Sequence, residues 1–210
     1  MKKKRIDTVI QIIFLGLFLY LVTQGKMVIW LALFAISWVG ALLFGRFYCG
    51  YMCPMNTVII PTEWVAKKLK LQTKSVPRWL QSKALPWIIL AIMAISMVIS
   101  KKIVGREVPM LLILLGLSIV VTLRYEQWVF HNHLCPFGAL LSLTGKHPLF
   151  GTVVNEDLCI GCKKCEKVCP SKAILVDKET KKAIIDPSIC HQCRNCIVVC
   201  PKDAIDYKKS

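Results

Sequence analysis

Two cysteine runs near the C-terminus constrain this chain more than any other feature. The first, CIGCKKCEKVCP, contains Cys159, Cys162, Cys165, Cys169 and Pro170. The second, CHQCRNCIVVCP, contains Cys190, Cys193, Cys196, Cys200 and Pro201. Both read Cys-x2-Cys-x2-Cys-x3-Cys-Pro. Such spacing leaves too little chain between sulfurs for a disulfide framework, but it suits thiolates converging on a metal centre. Persistent thiolates imply a reducing compartment, so the runs are expected on the cytoplasmic side. Between the runs, AILVDKETKKAIIDP reads as two short strands around a polar turn. Pro170-Ser171-Lys172-Ala173-Ile174 after the first run parallels Pro201-Lys202-Asp203-Ala204-Ile205 after the second, the mark of an internal duplication.

The runs match the bacterial two-cluster ferredoxin pattern, in which the fourth cysteine of each run ligates the other [4Fe-4S] cluster. On that pattern, cluster one takes Cys159, Cys162, Cys165 and Cys200, and cluster two takes Cys190, Cys193, Cys196 and Cys169. Each fourth cysteine is expected to open a short helix, with the following proline in its first turn. Two four-thiolate zinc sites are the alternative; the doubled run with its terminal proline favours iron and sulfide. A domain of about sixty residues has little apolar core, so its clusters are expected to supply much of it. His191, inside the second loop, reads either as an ordinary exposed loop residue or as a tuner of that cluster.

The rest of the chain belongs to another solvent. Of the 210 residues, 55% are hydrophobic, above what a soluble domain carries. Four apolar stretches, about Ile6–Val22, Met27–Phe44, Leu85–Ser100 and Val108–Leu123, approach the ~20 residues that cross a hydrocarbon core of about 30 Å. The expected fold class is therefore an all-α membrane domain of four transmembrane helices (1–148) followed by a small α+β two-cluster ferredoxin domain (149–210). The first stretch follows Lys2, Lys3, Lys4 and Arg5 but reads as an uncleaved span rather than a signal peptide.

Orientation follows from the basic residues. Those four and Arg46, Lys67, Lys68, Lys70, Lys74, Arg78 and Lys83 outweigh Lys26, Lys101, Lys102 and Arg106 on the other face. Both termini and both clusters are thus expected on the inner face of a bacterial or archaeal cytoplasmic membrane. The same bias accounts for the net charge of +16 without nucleic acid, for which there is no recognition motif. Trp30, Trp64, Trp79, Trp87 and Trp128 fall near span ends, as an interfacial aromatic belt would place them. Pro61 to Lys74 reads as a basic segment lying along the inner surface.

A second constellation follows the second and fourth stretches. Aligning Cys53 with Cys135 also aligns Pro54 with Pro136 and Cys49 with His131, so each helix pair ends in a (Cys/His)-x3-Cys-Pro element. An i, i+4 pair shares one helical face. Cys49, Cys53, Cys135 and His131, with His133 as an alternative, therefore form a candidate third metal or cluster site; packing cysteines or redox thiols near a quinone pocket are the competing readings.

The four spans, the CGYMCP element and the doubled run resemble the membrane ferredoxins of the NapH/MauN type across nearly the whole chain. That resemblance implies cytoplasmic clusters that take electrons from quinol and pass them to partner redox subunits. His131 stands where the resemblance would put a cysteine. No predicted span carries a mid-span histidine, so a transmembrane haem pair is not expected. There is no nucleophile–base pair or phosphate loop, and Asp157 and Asp186 lie in the tail, so a redox subunit is favoured over a self-sufficient enzyme. The expected role is electron relay between quinone or a soluble donor and a partner reductase. The alternative is an accessory or regulatory iron–sulfur protein in metalloenzyme assembly or redox sensing.

Overall fold

A computed structural model describes residues 2–73, 75–100, 102 and 110–209. The start of the fourth predicted span at Val108, together with Lys74, Lys101 and Arg106, lies outside them. The chain forms two compact units: Met1–Met27 with Cys53–Ala139, and Val28–Met52 with Leu140–Ser210.

The first unit is helical. It contains α1 (Lys2–Thr23), α4 (Pro54–Lys68), a 3₁₀ turn at Arg78–Gln81, α5 (Leu85–Ile99), α6 (Met110–Arg124) and α7 (Gln127–Val129). A π-helical turn, Phe130–Leu134, continues α7. Ile59 and Ala66 of α4 and Leu111, Leu114, Ser118 and Thr122 of α6 are buried, each spaced for one helical face. The segment after α4 is tied to the end of α6: Gln72 Nε2 donates to the carbonyls of Thr122 (2.8 Å) and Tyr125 (3.0 Å). The basic segment Pro61–Lys74 falls partly within α4, which begins at Pro54 and ends at Lys68, with Pro61 inside it. Within α4, Glu63 is buried and its carboxylate meets Lys67 Nζ at 2.6 Å.

The second unit joins α2 (Met27–Phe44) and α3 (Phe47–Tyr51) to the cysteine-rich tail. Trp30, read from sequence as a belt residue, is instead 2% exposed and donates from Nε1 to Tyr48 Oη at 3.1 Å. Phe34 meets the Tyr48 ring edge-on, and Ser37 bonds Met52 Sδ, so α3 is folded back on α2. Phe44 stacks on Phe150, and Leu149 N donates to Leu42 O, which explains why α2 groups with the tail rather than dividing from it near residue 148. The tail itself runs β1 (Phe150–Val154), α9 (Lys164–Val168), β2 (Ile174–Val176), β3 (Ala183–Ile185), α10 (Asn195–Val199) and β4 (Ile205–Lys209). The strands pair antiparallel as β1–β4, Thr152 opposite Tyr207, and β2–β3, Leu175 opposite Ile184. The two strands expected between the cysteine runs are β2 and β3.

Among the described residues, two helices are long and apolar enough to cross a bilayer: Ile6–Thr23 within α1, and α2. Only 11% and 22% of these stretches are buried, and Ile12, Ile13, Tyr20, Val28, Ile36 and Val39 face outward, which is the surface a lipid solvent accepts and water does not. The described parts of α5 and α6 are apolar but shorter, at 15 residues each.

Candidate iron–sulfur sites

Each cysteine run wraps a loop and then a one-turn helix. The helices α9 and α10 start from Lys163 and Arg194, both left-handed, at φ 61° and 58°. One residue before the second cysteine of each run, Gly161 and Gln192 also take positive φ, 66° and 54°, and after the prolines Lys172 and Asp203 do the same. The duplication seen in the sequence is thus carried by the backbone. Left-handed residues between right-handed ones turn successive N–H groups toward a common centre, as anion-holding nests do. For non-glycine residues this conformation costs about 1–3 kcal/mol, so it persists where the surroundings fix it.

The fourth cysteine of each run closes its helix rather than opening one. Cys169 and Cys200 are extended, at φ −79°, ψ 112° and φ −72°, ψ 115°. The proline that follows excludes the helical region for the residue before it. Each sulfur then receives a backbone donor four residues on: Ala173 N at 3.2 Å from Cys169 Sγ, and Ala204 N at 3.3 Å from Cys200 Sγ. Ala183 N similarly lies 3.4 Å from Cys159 Sγ. Such donors stabilise negative charge on sulfur.

Two cavities result. One is lined by Cys159, Cys162, Cys165 and Cys200; the other by Cys169, Cys190, Cys193 and Cys196. Their free space is nearly equal, ≈ 350 and ≈ 340 Å³, as expected of two pockets built for one kind of group. Between them a small core forms from Ile174, Val176, Ala183 and Ile205 with the cysteines themselves. No three His, Cys, Asp or Glu side chains among the described residues crowd closely enough for a single metal ion. Four thiolates spread around a wider cavity fit a polynuclear cluster instead. Burial pushes the Cys190 thiol up to about 11 and those of Cys193 and Cys196 to about 12.

The Cys-Pro elements of the helical part share one detail with the tail. Cys53 (φ −71°, ψ 117°) and Cys135 (φ −75°, ψ 110°) have the same extended backbone, and Gly138 N lies 3.4 Å from Cys135 Sγ. The expected i, i+4 pairing on one helical face does not hold locally. Cys49 sits inside α3 while Cys53 is the residue before Pro54; His131 sits in the π turn while Cys135 ends it. Proline again breaks the helix. Cys49 belongs to the second unit, and Cys53, His131 and Cys135 to the first. All four are buried, and His133 is half-buried.

Sequence reasoning missed two residues and misjudged a third. Arg46, counted among the inner-face charges, is 1% exposed. Gln192 is buried, its Oε1 accepting from Thr152 N (3.1 Å) and Thr152 Oγ1 (2.9 Å). His191 is buried as well, not an exposed loop residue. The one available signal was the glycine-rich, aromatic surroundings of Arg46, which suit close packing rather than a solvated charge.

Comparison with known proteins agrees with this geometry. Residues 158–204 match a 4Fe-4S dicluster domain, and residues 27–72 and 107–152 each match a 4Fe-4S binding domain. Each of those two segments contains one helical Cys-Pro element. Among relatives, an uncharacterized protein of Methanocaldococcus jannaschii is 29% identical over 68% of this chain and 58% of its own length. The methylamine utilization ferredoxin-type protein MauN of Paracoccus denitrificans is 27% identical over 75% and 62%. The ferredoxin-type protein NapH of Haemophilus influenzae is 27% identical over 64% and 51%. The chain therefore spans less than two thirds of the length of these relatives.

Proposed function

We propose that this chain, which belongs with the MauN and NapH ferredoxin-type proteins and carries 4Fe-4S domains, is a membrane-anchored one-electron carrier with two [4Fe-4S] clusters. Cys159, Cys162, Cys165 and Cys200 hold the first, and Cys190, Cys193, Cys196 and Cys169 the second. The observation that carries the reading is the lining of the two cavities, each of which combines three cysteines of one run with the fourth of the other. A bound [4Fe-4S] cluster supplies reversible one-electron chemistry. The chain's own residues ligate it, aim backbone N–H groups at the sulfurs and exclude water with Ile174, Val176, Ala183 and Ile205.

Helices α1 and α2 anchor the protein, with α5 and α6 as the third and fourth spans and both termini on the cytoplasmic side. The clusters then exchange electrons at the inner surface, between quinone or a soluble donor and a partner reductase. Cys49, Cys53, Cys135 and His131 are proposed as further ligands on local grounds alone. Cys53 and Cys135 adopt the backbone of the fourth cluster cysteines, and Cys135 shares their N–H to sulfur contact.

The test is an iron and acid-labile sulfide count on the full chain purified in detergent. Two clusters require eight of each, and Cys200→Ser must disturb the site that Cys162→Ser disturbs, not the one that Cys193→Ser does. Fewer than eight irons, or the opposite grouping, would overturn the assignment. Further ligation requires iron above eight that falls in Cys135→Ser; a clean eight, unchanged in Cys49→Ser, removes it. Quinol analogues that never change the redox state of the clusters in membranes would refute the quinone link.

A further inference from the structure

The duplicated halves of the tail meet different surroundings within the second unit. The first-run loop is open: Ile160 is 59% exposed, and Cys162, Lys163 and Lys164 are also exposed. The equivalent second-run loop is covered, with His191 and Gln192 at 1% and 2%. What covers it is the turn from α2 into α3. Tyr51 Oη donates to Gln192 O at 3.2 Å, and Gly50 lies so close to the loop that a Cβ there would stand 2.4 Å from His191 O. A Cβ on Gly45 would come within 2.9 Å of the Gln192 amide nitrogen.

Arg46 lies at the centre of this seam. Its Nη1 donates to Ser188 O at 3.2 Å, and its Nη2 lies 3.8 Å from Cys49 Sγ. Its Nε has no acceptor among the described residues. A guanidinium almost fully removed from water, with its Nε–H unspent, is costly unless negative charge stands nearby. The carboxylate of Asp186, in the loop's own segment, is already engaged by Ser188 N (2.9 Å) and Ser188 Oγ (2.6 Å). The loop's other cation, Arg194, lies over the Tyr207 ring. The negative charge that Arg46 lacks is supplied by the second site itself, since a cluster on four thiolates is anionic and becomes more so on reduction.

We propose that Arg46 is a positioning residue that joins the α2–α3 turn to the second site alone, and that its charge makes this site easier to reduce than its exposed twin. The inference rests on the two-cluster reading above and deepens it. The second site becomes the port next to α3 and its Cys49, and the first becomes the port open to soluble partners. Buried against Ser188, two residues before Cys190, the guanidinium stabilises the reduced form with little screening, whereas the lysines around the first loop act through water.

The experiment is a dithionite titration of the full, iron-loaded chain, followed by electron paramagnetic resonance. Cys162→Ser and Cys193→Ser identify which signal belongs to which site. Arg46→Gln is expected to move the second-site wave to lower potential and leave the first in place, and Arg46→Lys to restore part of the shift. Gly50→Ala, which keeps the charge but forces the seam apart, is expected to move the same wave in the same direction. Equal movement of both waves, movement of the first only, or no movement in Arg46→Gln would each overturn the proposal. If Arg46→Gln does not fold, an unmoved second wave in Gly50→Ala overturns it alone. Fewer than eight irons in the unaltered chain would show instead that the two-cluster reading had failed.

Discussion

The Gln192 side chain offers the sharpest quantitative test of the second loop. Its Oε1 takes both the Thr152 backbone N–H at 3.1 Å and the Thr152 hydroxyl at 2.9 Å, and Thr152 is itself buried. In Gln192→Ala both donors lose their acceptor. The hydroxyl can rotate toward another partner and forfeits about 0.5–1.5 kcal/mol, but the amide is fixed by β1 and bears a desolvation cost of about 1–3 kcal/mol. Opening of β1 around Thr152 should therefore become roughly 10- to 1,000-fold more frequent, since about 1.4 kcal/mol is tenfold. Hydrogen exchange measured by mass spectrometry on peptides covering 150–154 reads this directly, with the β2–β3 hairpin as internal reference. Gln192→Glu keeps the accepting oxygen and should retain most of the protection. Unchanged exchange in Gln192→Ala, or equally fast exchange in both variants, would refute the reasoning.

Two further outcomes follow from local geometry. Gly161→Ala should abolish the first site and spare the second: a Cβ there would stand 2.3 Å from Lys181 O, and the residue is left-handed, so iron content should fall by about half while the second-site signal persists. Asp177 is held below the ordinary carboxylate range by the N–H of Thr180 and then by its hydroxyl. A depressed folded-state value means its contribution to the β2–β3 turn is present above the unfolded range and lost as pH falls through the folded one. Exchange of the Thr180 amide, corrected for intrinsic rate, should lose its protection as the solution is acidified; Asp177→Asn should show no such step.

The features legible in the sequence were those written as spacing. The doubled cysteine run pointed to two cavities, each lined by the fourth cysteine of the other run, and the polar turn in KETKK to a hairpin. The apolar stretches yielded two helices able to span a bilayer. What the sequence hid depends on contacts between distant segments. Arg46 looks like any basic residue after an apolar helix, and only its burial against Ser188 reveals another use. His191 and Gln192 look like loop residues because nothing nearby in sequence covers them. The helical pairing of Cys49 with Cys53 failed for a local reason: Pro54 forces its predecessor out of the helix, and the rule for prolines should outrank the rule for faces.

The grouping of α2 and α3 with the tail changes what it means to dissect this protein. Cutting the chain at the compositional border near residue 148 would excise what looks like a self-sufficient soluble ferredoxin. The fragment would leave Arg46, Gly50 and Tyr51 behind, and the surface they cover, around His191 and Gln192, would be bared to water. One half of a duplicated domain would then be in its native surroundings and the other in foreign ones. Potentials or stabilities measured on the fragment would describe a symmetric relic, whereas the intact chain has one half built to face solvent and one built to be held.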